Sequence, residues 1–433
     1  MEKQSQKLPF ERLPPAEQIA LLMRRIYQQG LTTSSGGNLS LLADDGGMWI
    51  SPSALDKGVL APAEVVRVGA DGAFPTGSPR PSLEYPFHRA IYAARPDLRA
   101  IVHAHPADLL AFSIAHKVPD IAISPQAMET CGAVGYAEYA IPGSAELGEN
   151  IAGRFAAGFD CVLLENHGAV CGGTSLLQAF HRFEALDFCA RLHIQALRLG
   201  GRQVLSADEL KTAQSPTEQL REFTPTAQSA RETLLRGQIC AMVHRACQQQ
   251  LMSSSAGTLS ARLDNTSILI SPAGVDRQLL TPGDVVLIKE SWREAGKLPS
   301  RDLGLHQRIY AGHPEISAII TAQPTHVMAF AVTGAHLDTH IIPESYMLLH
   351  DLPALPFAAR NDHQKISEML GTSCPAVMIE HEAVIATGCT ILQAFDRLEV
   401  AEFTARSLIA AKILGGAVAI SDQHAAELRE AFF

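Results

Sequence analysis

Apolar residues recur at helical spacing near the start of each half of the chain, over Ala16–Gln29 and again over Ala230–Gln249. Short β-rich runs bounded by Gly, Asp and Pro follow each of these predicted helices. Further helices are predicted after Ser82 and after Ser300, where each serine is a candidate N-cap. This mixture of helical and strand periodicity predicts an α/β fold with a central sheet.

Short, strongly apolar runs typical of buried strands stand at corresponding places in the two halves, at residues 100–102 and 318–320. The first half continues with a predicted helix over Ala145–Ala156, a strand over Cys161–Leu164 and a long closing helix over Ser175–Leu199. The same kinds of element therefore follow one another in the same order in both halves.

An internal repeat explains this parallel. The segment Ser34–Ser40 returns as Ser254–Ser260, and the run from Pro81 to Tyr92 returns as Pro299–Tyr310. A unit of roughly two hundred residues has been duplicated, a period far too long for a solenoid. Ser, Thr, Gln and Pro gather between Gln203 and Ser229, where the apolar periodicity fades. We therefore expect two homologous domains, residues 1–220 and 221–433.

Composition narrows the class of protein. The 433 residues carry a formal net charge of -10, so no general basic field is available to hold a nucleic acid. No stretch reaches ~18 uninterrupted apolar residues and the opening is polar, so we expect a cytoplasmic protein without membrane contact. The eight cysteines include no C-x-x-C pair, and we expect reduced, mostly buried thiols.

Three histidines of the first half have the spacing of metal ligands. His103 and His105 end an apolar strand, and strand alternation directs residues i and i+2 to one face. His167 follows the strand Cys161–Leu164 in a turn with Gly168. Three imidazoles with an open position suit a catalytic divalent metal, usually zinc. The alternative is a set of half-buried, hydrogen-bonded histidines.

The second half separates these alternatives. At the positions of the three histidines it carries Thr321, Gln323 and Glu382, although its surrounding residues persist. A role in stabilising the fold would be expected in both copies, so the difference favours a functional site in the first. By contrast, His88 has a counterpart in His306, and we assign both to packing or hydrogen bonding on a helix.

Five motifs follow one another in the first half: Gly36–Ser40, Ser51–Ser53, Pro81–Glu84 with His88, His103–Pro106 and Asn166–Gly168. In this order they resemble the class II aldolase/adducin family over essentially all of residues 14–200, and the second half resembles it more weakly. The resemblance implies two tandem α/β/α sandwich domains with a central mixed, mainly antiparallel sheet, the second domain degenerate and lacking the metal ligands.

The family also implies roles for the site residues. His103, His105 and His167 would bind one divalent ion per chain, most likely zinc, with manganese, iron, cobalt or nickel as alternatives. Glu84 would be the catalytic acid/base that can also touch the metal. The activity implied is that of a lyase, which acts on a small sugar, sugar phosphate or keto/hydroxy acid through an enediolate-like intermediate.

Two departures concern the phosphate site of this family. Ala54 stands at the turn glycine and Leu83 at the second serine, and both changes weaken a phosphate cradle. Aldol cleavage is therefore one candidate beside decarboxylation, dehydration and epimerisation. The residues that remain available to bind the substrate or its anionic group are Gly37, Asn38, Ser53 and Ser82.

The degenerate copy suggests an assembly. Two tandem chains could close a homo-oligomeric ring of four domains, with residues 226–433 walling the pocket of the first domain and a loop at Pro343–Tyr346 contributing to it. The alternative to an enzyme is a non-catalytic, adducin-like binding or scaffold protein with a vestigial site. Retention of all three histidines in one copy favours the enzyme.

Overall fold

The computed structural model describes residues 10–201, 203–212 and 220–432 of the chain. Contacts divide it into two compact units. Unit 1 holds the described residues up to Ile121 together with Ala127–Arg191, and unit 2 holds Ala122–Gln126 and the described residues from Leu192 onward. No helix among the described residues is both long and apolar enough to cross a membrane.

Unit 1 is built on a seven-stranded mixed sheet in the order β3-β2-β1-β4-β7-β6-β5. Neighbouring strands are antiparallel except β5 and β6, which run parallel. The expectation of a mixed, mainly antiparallel sheet is confirmed. The strands are β1 (Asn38–Leu42), β2 (Met48–Ile50), β3 (Val66–Val68), β4 (Ala100–Ala104), β5 (Val134–Ala137), β6 (Cys161–Leu164) and β7 (Gly168–Gly173).

Helices cover both faces of this sheet. One face packs on α2 and α5, with Phe87 and Phe155 buried against Ile101 and Val170. Helices α1 and α3 contact β1, β6 and β7. The helices that lie mainly in unit 1 are α1 (Pro15–Gln28), α2 (Tyr85–Ala94), α3 (Ala107–Ile114), α4 (Pro125–Cys131), α5 (Ala145–Ala156) and α6 (Leu176–Leu199).

Unit 2 repeats the sheet of unit 1 and extends it. Its order is β14-β15-β16-β13-β9-β10-β11-β12-β8, and the first seven strands correspond one by one to β5-β6-β7-β4-β1-β2-β3. The parallel pair recurs as β14 and β15. The strands are β8 (Arg221–Phe223), β9 (Thr258–Arg262), β10 (Ser267–Ile270), β11 (Val286–Lys289), β12 (Trp292–Glu294), β13 (Ala318–Ala322), β14 (Ala354–Leu355), β15 (Ala376–Ile379) and β16 (Ala383–Gly388).

The helices of unit 2 also follow those of unit 1. Helices α9 and α12 cover one face, and the long α13 contacts β13 and β16. The helices are α7 (Ala207–Thr212), α8 (Ala230–Gln248), α9 (Leu303–Gly312), α10 (Thr325–Thr333), α11 (Pro343–Leu349), α12 (His363–Met369), α13 (Ile391–Ile413) and α14 (Asp422–Phe432).

Some local expectations differ from the structure. Ser82 and Ser300 are not N-caps, because α2 and α9 begin later, with Glu84 and Asp302 at the capping positions. The serine hydroxyls accept hydrogen bonds from the N–H groups of those two residues at 3.3 Å, within the turn that precedes each helix.

Three other expectations concern single segments. Pro343–Tyr346 is not a loop but the first turn of α11, with Tyr346 buried. All eight cysteines are free as expected, although Cys389 is exposed. The expected domain boundary near residue 220 adjoins residues 213–219, which lie outside the described residues, and it stays a prediction.

Candidate metal centre

The three histidines of the sequence motif converge in unit 1. One ligand atom from each of His103, His105 and His167 lies within 4.8 Å of the others. The Nε2 atoms of His103 and His105 are 2.9 Å apart. His103 is fully buried, and its Nδ1 lies 3.0 Å from the carbonyl oxygen of Ala169, which fixes the ring so that Nε2 points into the cluster.

Strand pairing brings these side chains together. β4 pairs with β7, so that Ala104 lies opposite Ala169 and the end of β4 meets the start of β7. The tight turn before β7 places His167 beside His105, and Asn166 in that turn has a positive φ of 53°. At Gly168 a Cβ would lie 2.6 Å from the His105 ring, so only glycine permits this approach.

Glu84 is the fourth member of the cluster. Its Oε2 lies 3.2 Å from Nε2 of His103, and its Oε1 lies 3.0 Å from Nε2 of His167. Burial opposes ionisation of Glu84, but the charge and hydrogen bonds of the His103 and His167 rings outweigh it and lower the pKa of the carboxyl group. Glu84 is therefore a carboxylate facing the same point as the imidazoles.

The donor set fits a divalent cation. Burial, and then the neighbouring His103 and His167 rings, lower the pKa of His105 to about 3, so this ring is neutral at pH 7, the form in which imidazole binds metals. Among the described residues, His167 Nδ1 is buried without a hydrogen bond, and buried Glu84 Oε1 has no polar contact beyond the one with His167 Nε2 at 3.0 Å. Three imidazoles and a carboxylate around one point are typical ligands of zinc and related ions.

A directed chain of buried hydrogen bonds positions Glu84. The Asn38 Nδ2–H donates to Glu84 Oε2 at 2.7 Å, so Asn38 Oδ1 must accept from His88 Nε2 at 2.5 Å. His88 Nδ1 then accepts from the hydroxyl of Ser40 at 2.7 Å, and Ser40 accepts from the hydroxyl of Tyr92 at 2.7 Å. Burial first, and then the charge of His103, lower the pKa of His88 to about 3, which keeps this ring neutral.

The sequence alone does not predict this chain of hydrogen bonds, since it assigns His88 to packing or hydrogen bonding on a helix and Asn38 only to anion binding. The repeat contained the signal, because Ser40, His88 and Tyr92 return as Ser260, His306 and Tyr310. A histidine retained together with its hydroxyl partners indicates a hydrogen-bond network.

The other candidate substrate residues lie on adjoining segments. Gly37 has a φ of 71°, and a Cβ there would lie 2.7 Å from the carbonyl oxygen of His103. Ser53 is half-buried, and its N–H donates to the carbonyl of Arg80 at 3.0 Å. Ser82 is buried on the segment that leads to Glu84. The structure therefore gathers these segments beside Glu84, while their binding of an anion stays a prediction.

Comparison with known proteins gives the family. The chain matches the family model described as "Class II Aldolase and Adducin N-terminal domain" over residues 17–194 and again over residues 237–409. The chain belongs to this class II aldolase/adducin family. The two matched regions also confirm the tandem duplication.

Relatives within the class II aldolase/adducin family include two curated enzymes. The 3-oxo-tetronate 4-phosphate decarboxylase of Pectobacterium atrosepticum is 35% identical over 190 residues, covering 42% of this chain and 85% of the relative. The 5-deoxy-D-ribulose 1-phosphate aldolase of Bacillus thuringiensis is 30% identical over 210 residues, covering 45% and 91%. A solved L-fuculose 1-phosphate aldolase is 30% identical with a TM-score of 0.42, covering 46% and 97%. Lyases are thus among the relatives of the chain in this family.

At the positions that correspond to the three histidines, unit 2 carries a hydrogen-bonded polar set. Thr321 lies opposite Thr258 in the sheet, as His103 lies opposite Asn38. The Thr321 hydroxyl is bonded to His306 at 2.9 Å, and the Thr258 hydroxyl donates to a carboxylate oxygen of Asp302 at 2.5 Å. Among the described residues, the three histidines of unit 1 form the only such candidate metal cluster.

Proposed function

We propose that unit 1 is a divalent-metal-dependent lyase that breaks a C–C bond in a small phosphorylated sugar or sugar acid, by aldol cleavage or decarboxylation. The observation that carries this proposal is the convergence of three imidazole nitrogens and the Glu84 carboxylate on one point. The names of two curated relatives support the substrate class, because one is a decarboxylase of a phosphorylated sugar acid and the other an aldolase of a sugar phosphate.

His103, His105 and His167 would hold the cation, which when bound polarises substrate oxygens and stabilises the negative charge that bond cleavage leaves. Glu84 would accept or return a proton at its carboxylate. The hydrogen bond from Asn38 holds Oε2 in place, and the chain from Tyr92 to Asn38 prevents the carboxylate from turning away. The burial of His103 and Glu84 strengthens these interactions.

Metal analysis of the purified full-length chain tests the first requirement. We expect about one divalent ion per chain in the wild type, and loss of that ion in His103→Ala, because three ligands hold the ion far better than two. Thr321→Ala is the matched control, since it changes the corresponding strand position of unit 2 and should leave the metal content unchanged.

Activity assays test the reaction class. Carbon dioxide release from 3-oxo-tetronate 4-phosphate would identify a decarboxylase, and aldehyde release from 5-deoxyribulose 1-phosphate or fuculose 1-phosphate would identify an aldolase. Glu84→Gln should abolish either activity while the protein stays folded, because the amide cannot accept a proton. A wild-type chain that is folded, metal-free and inactive would instead support the non-catalytic, adducin-like binding role.

The assembly remains part of the proposal. Two chains would form a dimer, in which four aldolase-like domains close a ring with two working sites. Light scattering on the purified chain measures its mass directly. A monomer with full activity would contradict the dimeric ring.

A further inference from the structure

Lys57 is a buried lysine of unit 1 that has no role in the cluster described above. Its side chain is 1% exposed and is among the largest fully buried side chains of the protein. Its Nζ donates to the carbonyl oxygen of Pro52, and within the described residues no carboxylate forms an ion pair with it. Because a buried, unpaired ammonium is costly, its presence points to a use for the positive charge.

Backbone hydrogen bonds place Lys57 where the candidate anion-binding segments meet. Its N–H donates to the carbonyl of Ser34 at 2.8 Å, on the segment that leads to Gly37 and Asn38. Its Nζ holds Pro52, the residue before Ser53. The Ser53 segment pairs in turn with the Ser82 segment through the bridge between Pro52 and Pro81. Lys57 thus lies where the segments that carry the four candidate residues meet, bonded to the Ser34 segment through its backbone and to the Ser53 segment through its side chain.

The loop that Lys57 closes is strained. Ala54 has a φ of 57°, the left-handed region that favours glycine, and the corresponding residue in unit 2 is Gly274 with a φ of 71°. An alanine in this conformation costs about 1 to 2 kcal/mol. The hydrogen bond from Lys57 to Pro52 helps to hold Ala54 in a left-handed backbone conformation that glycine would adopt more easily.

Unit 2 conserves a cation at the corresponding position although it has replaced the metal ligands. Arg277 is also buried, and it donates to the carbonyl of Pro272 at 2.9 Å and to that of Gly257 at 2.8 Å. Pro272 and Gly257 correspond to Pro52 and Gly37. A neutral donor could make the same bonds to carbonyls, so these bonds alone do not explain why both units carry a cation here. Because unit 2 has this cation without the three histidines, the charge is not tied to metal binding.

We propose that Lys57 is the positioning residue of a phosphate-binding subsite. It joins the Ser34 segment to the Ser53 segment, which pairs with the Ser82 segment, and it supplies the positive charge that favours a phosphate monoester. The proposal deepens the proposed function and rests on it for the rest of the substrate. The phosphate itself would be bound by the backbone and hydroxyl groups of the segments, since Lys57 is covered by them.

Calorimetric titration of the metal-loaded, full-length chain with inorganic phosphate tests the subsite. Lys57→Met should weaken phosphate binding about tenfold or more, because the variant loses both the buried positive charge near the anion and the bond that holds Pro52. Lys57→Arg, which introduces the residue type found at position 277, should restore most of the affinity. Lys117→Met is the matched control, because it removes an exposed positive charge from the same unit and should leave the affinity unchanged.

Two further measurements separate charge from structure. A purely structural role predicts that Lys57→Met lowers the melting temperature and the affinity for phosphate together, and that the salt dependence of the remaining binding is unaltered. A charge effect predicts a weaker salt dependence in Lys57→Met than in the wild type. An unaltered salt dependence, or unchanged phosphate affinity in Lys57→Met, would overturn the proposal.

The metal-free variant His103→Ala distinguishes the subsite from the cation as the receptor for phosphate. Phosphate binding that persists in His103→Ala and still depends on Lys57 supports the subsite, even if no lyase activity is found. Phosphate binding that disappears in His103→Ala but survives in Lys57→Met would assign the anion to the metal and refute the subsite.

Discussion

The Glu84 carboxylate makes two kinds of contact, one with imidazole rings and one with a side-chain amide. On one side it faces the imidazoles of His103 and His167, and on the other it accepts the amide N–H of Asn38. The directed chain behind Asn38 allows only one orientation of that amide, because His88 Nε2 must donate to Asn38 Oδ1. The carboxylate proposed for proton transfer is thus oriented by an amide that is itself held by His88.

Replacement of Asn38 tests this positioning. Asn38→Ala removes the donor to Glu84 Oε2, and we expect kcat of the proposed lyase to fall about 10- to 100-fold while the metal content stays unchanged. Thr258→Ala is the matched control, since Thr258 donates to Asp302 at the corresponding place of unit 2. Equal kinetics of Asn38→Ala and wild type would show that Glu84 needs no such support.

Lys57 makes a separate prediction about stability and pH. Burial lowers its pKa from 10.5 to about 8, so between these pH values the unfolded chain binds more protons than the folded chain. The stability of the wild type relative to Lys57→Met should therefore rise with pH from about 8 to 10.5, by at most ~1.4 kcal/mol per pH unit.

Denaturant unfolding of both proteins across this pH range measures the effect. The loss of the Pro52 hydrogen bond in Lys57→Met contributes a constant difference, so only the slope reports the buried charge. Lys117→Met, at an exposed position, should differ from the wild type by a constant amount. A difference between wild type and Lys57→Met that does not change with pH would contradict the buried ammonium.

At the scale of elements, periodicity was sufficient for the helices and strands but not for the segments between them. The expected helix Ala145–Ala156 and strand Cys161–Leu164 have the observed bounds, because each carries its own pattern of burial. The position of Ser82 before the helix, and the bonds of Asn38, depend on segments far apart in the chain. Such contacts follow from the assembled sheet and leave no local pattern.

The grouping of the histidines was predictable because it depends on local patterns in the sequence. Alternation along β4 directs His103 and His105 to one face of the sheet, and a turn before β7 is enough to bring His167 close to them. The left-handed conformations of Asn166 and Ala54 were not predictable, because neither residue is glycine. Their strain is compensated by the surrounding structure rather than by their own preference.

The junction of β1 and β4 gives a prediction about one glycine. A Cβ at Gly37 would meet the carbonyl oxygen of His103 at 2.7 Å in a left-handed backbone, so Gly37→Ala should displace β1 from β4. We expect the free energy of unfolding to fall by more than ~2 kcal/mol and the bound metal to be lost. Gly30→Ala is the matched control, because Gly30 has a φ of 72° with nothing within 4 Å of its Cβ position.

The melting temperatures and metal contents of the two glycine variants test whether the contact between Gly37 and His103 shapes the site. Gly30→Ala should show only the backbone strain of about 1 to 2 kcal/mol and should retain its metal. If both variants melt alike and keep their metal, the contact between Gly37 and His103 does not shape the site.

At the scale of the whole molecule, duplication has preserved the scaffold while the chemistry of the two copies diverged. The seven corresponding strands keep one order, and the pairing of β9 with β13 repeats that of β1 with β4. The turn before β7 is also retained before β16, where His381 has a φ of 60° and the corresponding Asn166 has a φ of 53°. Unit 2 therefore differs from unit 1 at the ligand positions more than in its backbone.

This conservation predicts that metal binding can be restored in unit 2. The triple variant Thr321→His, Gln323→His and Glu382→His places imidazoles at the three corresponding positions of a backbone that already has the same pairing and turn. We expect the metal content to rise from about one ion per chain toward two, with the second ion bound more weakly because Asp302 is shorter than Glu84.

Metal analysis after dialysis measures this rise, and adding His103→Ala to the triple variant separates the two sites. The combined variant should keep the new ion and lose the original one. A folded triple variant that binds no additional metal would mean that the hydrogen bonds of Thr258 and His306, which now tie the ligand positions of unit 2 together, set a geometry that a cation cannot use.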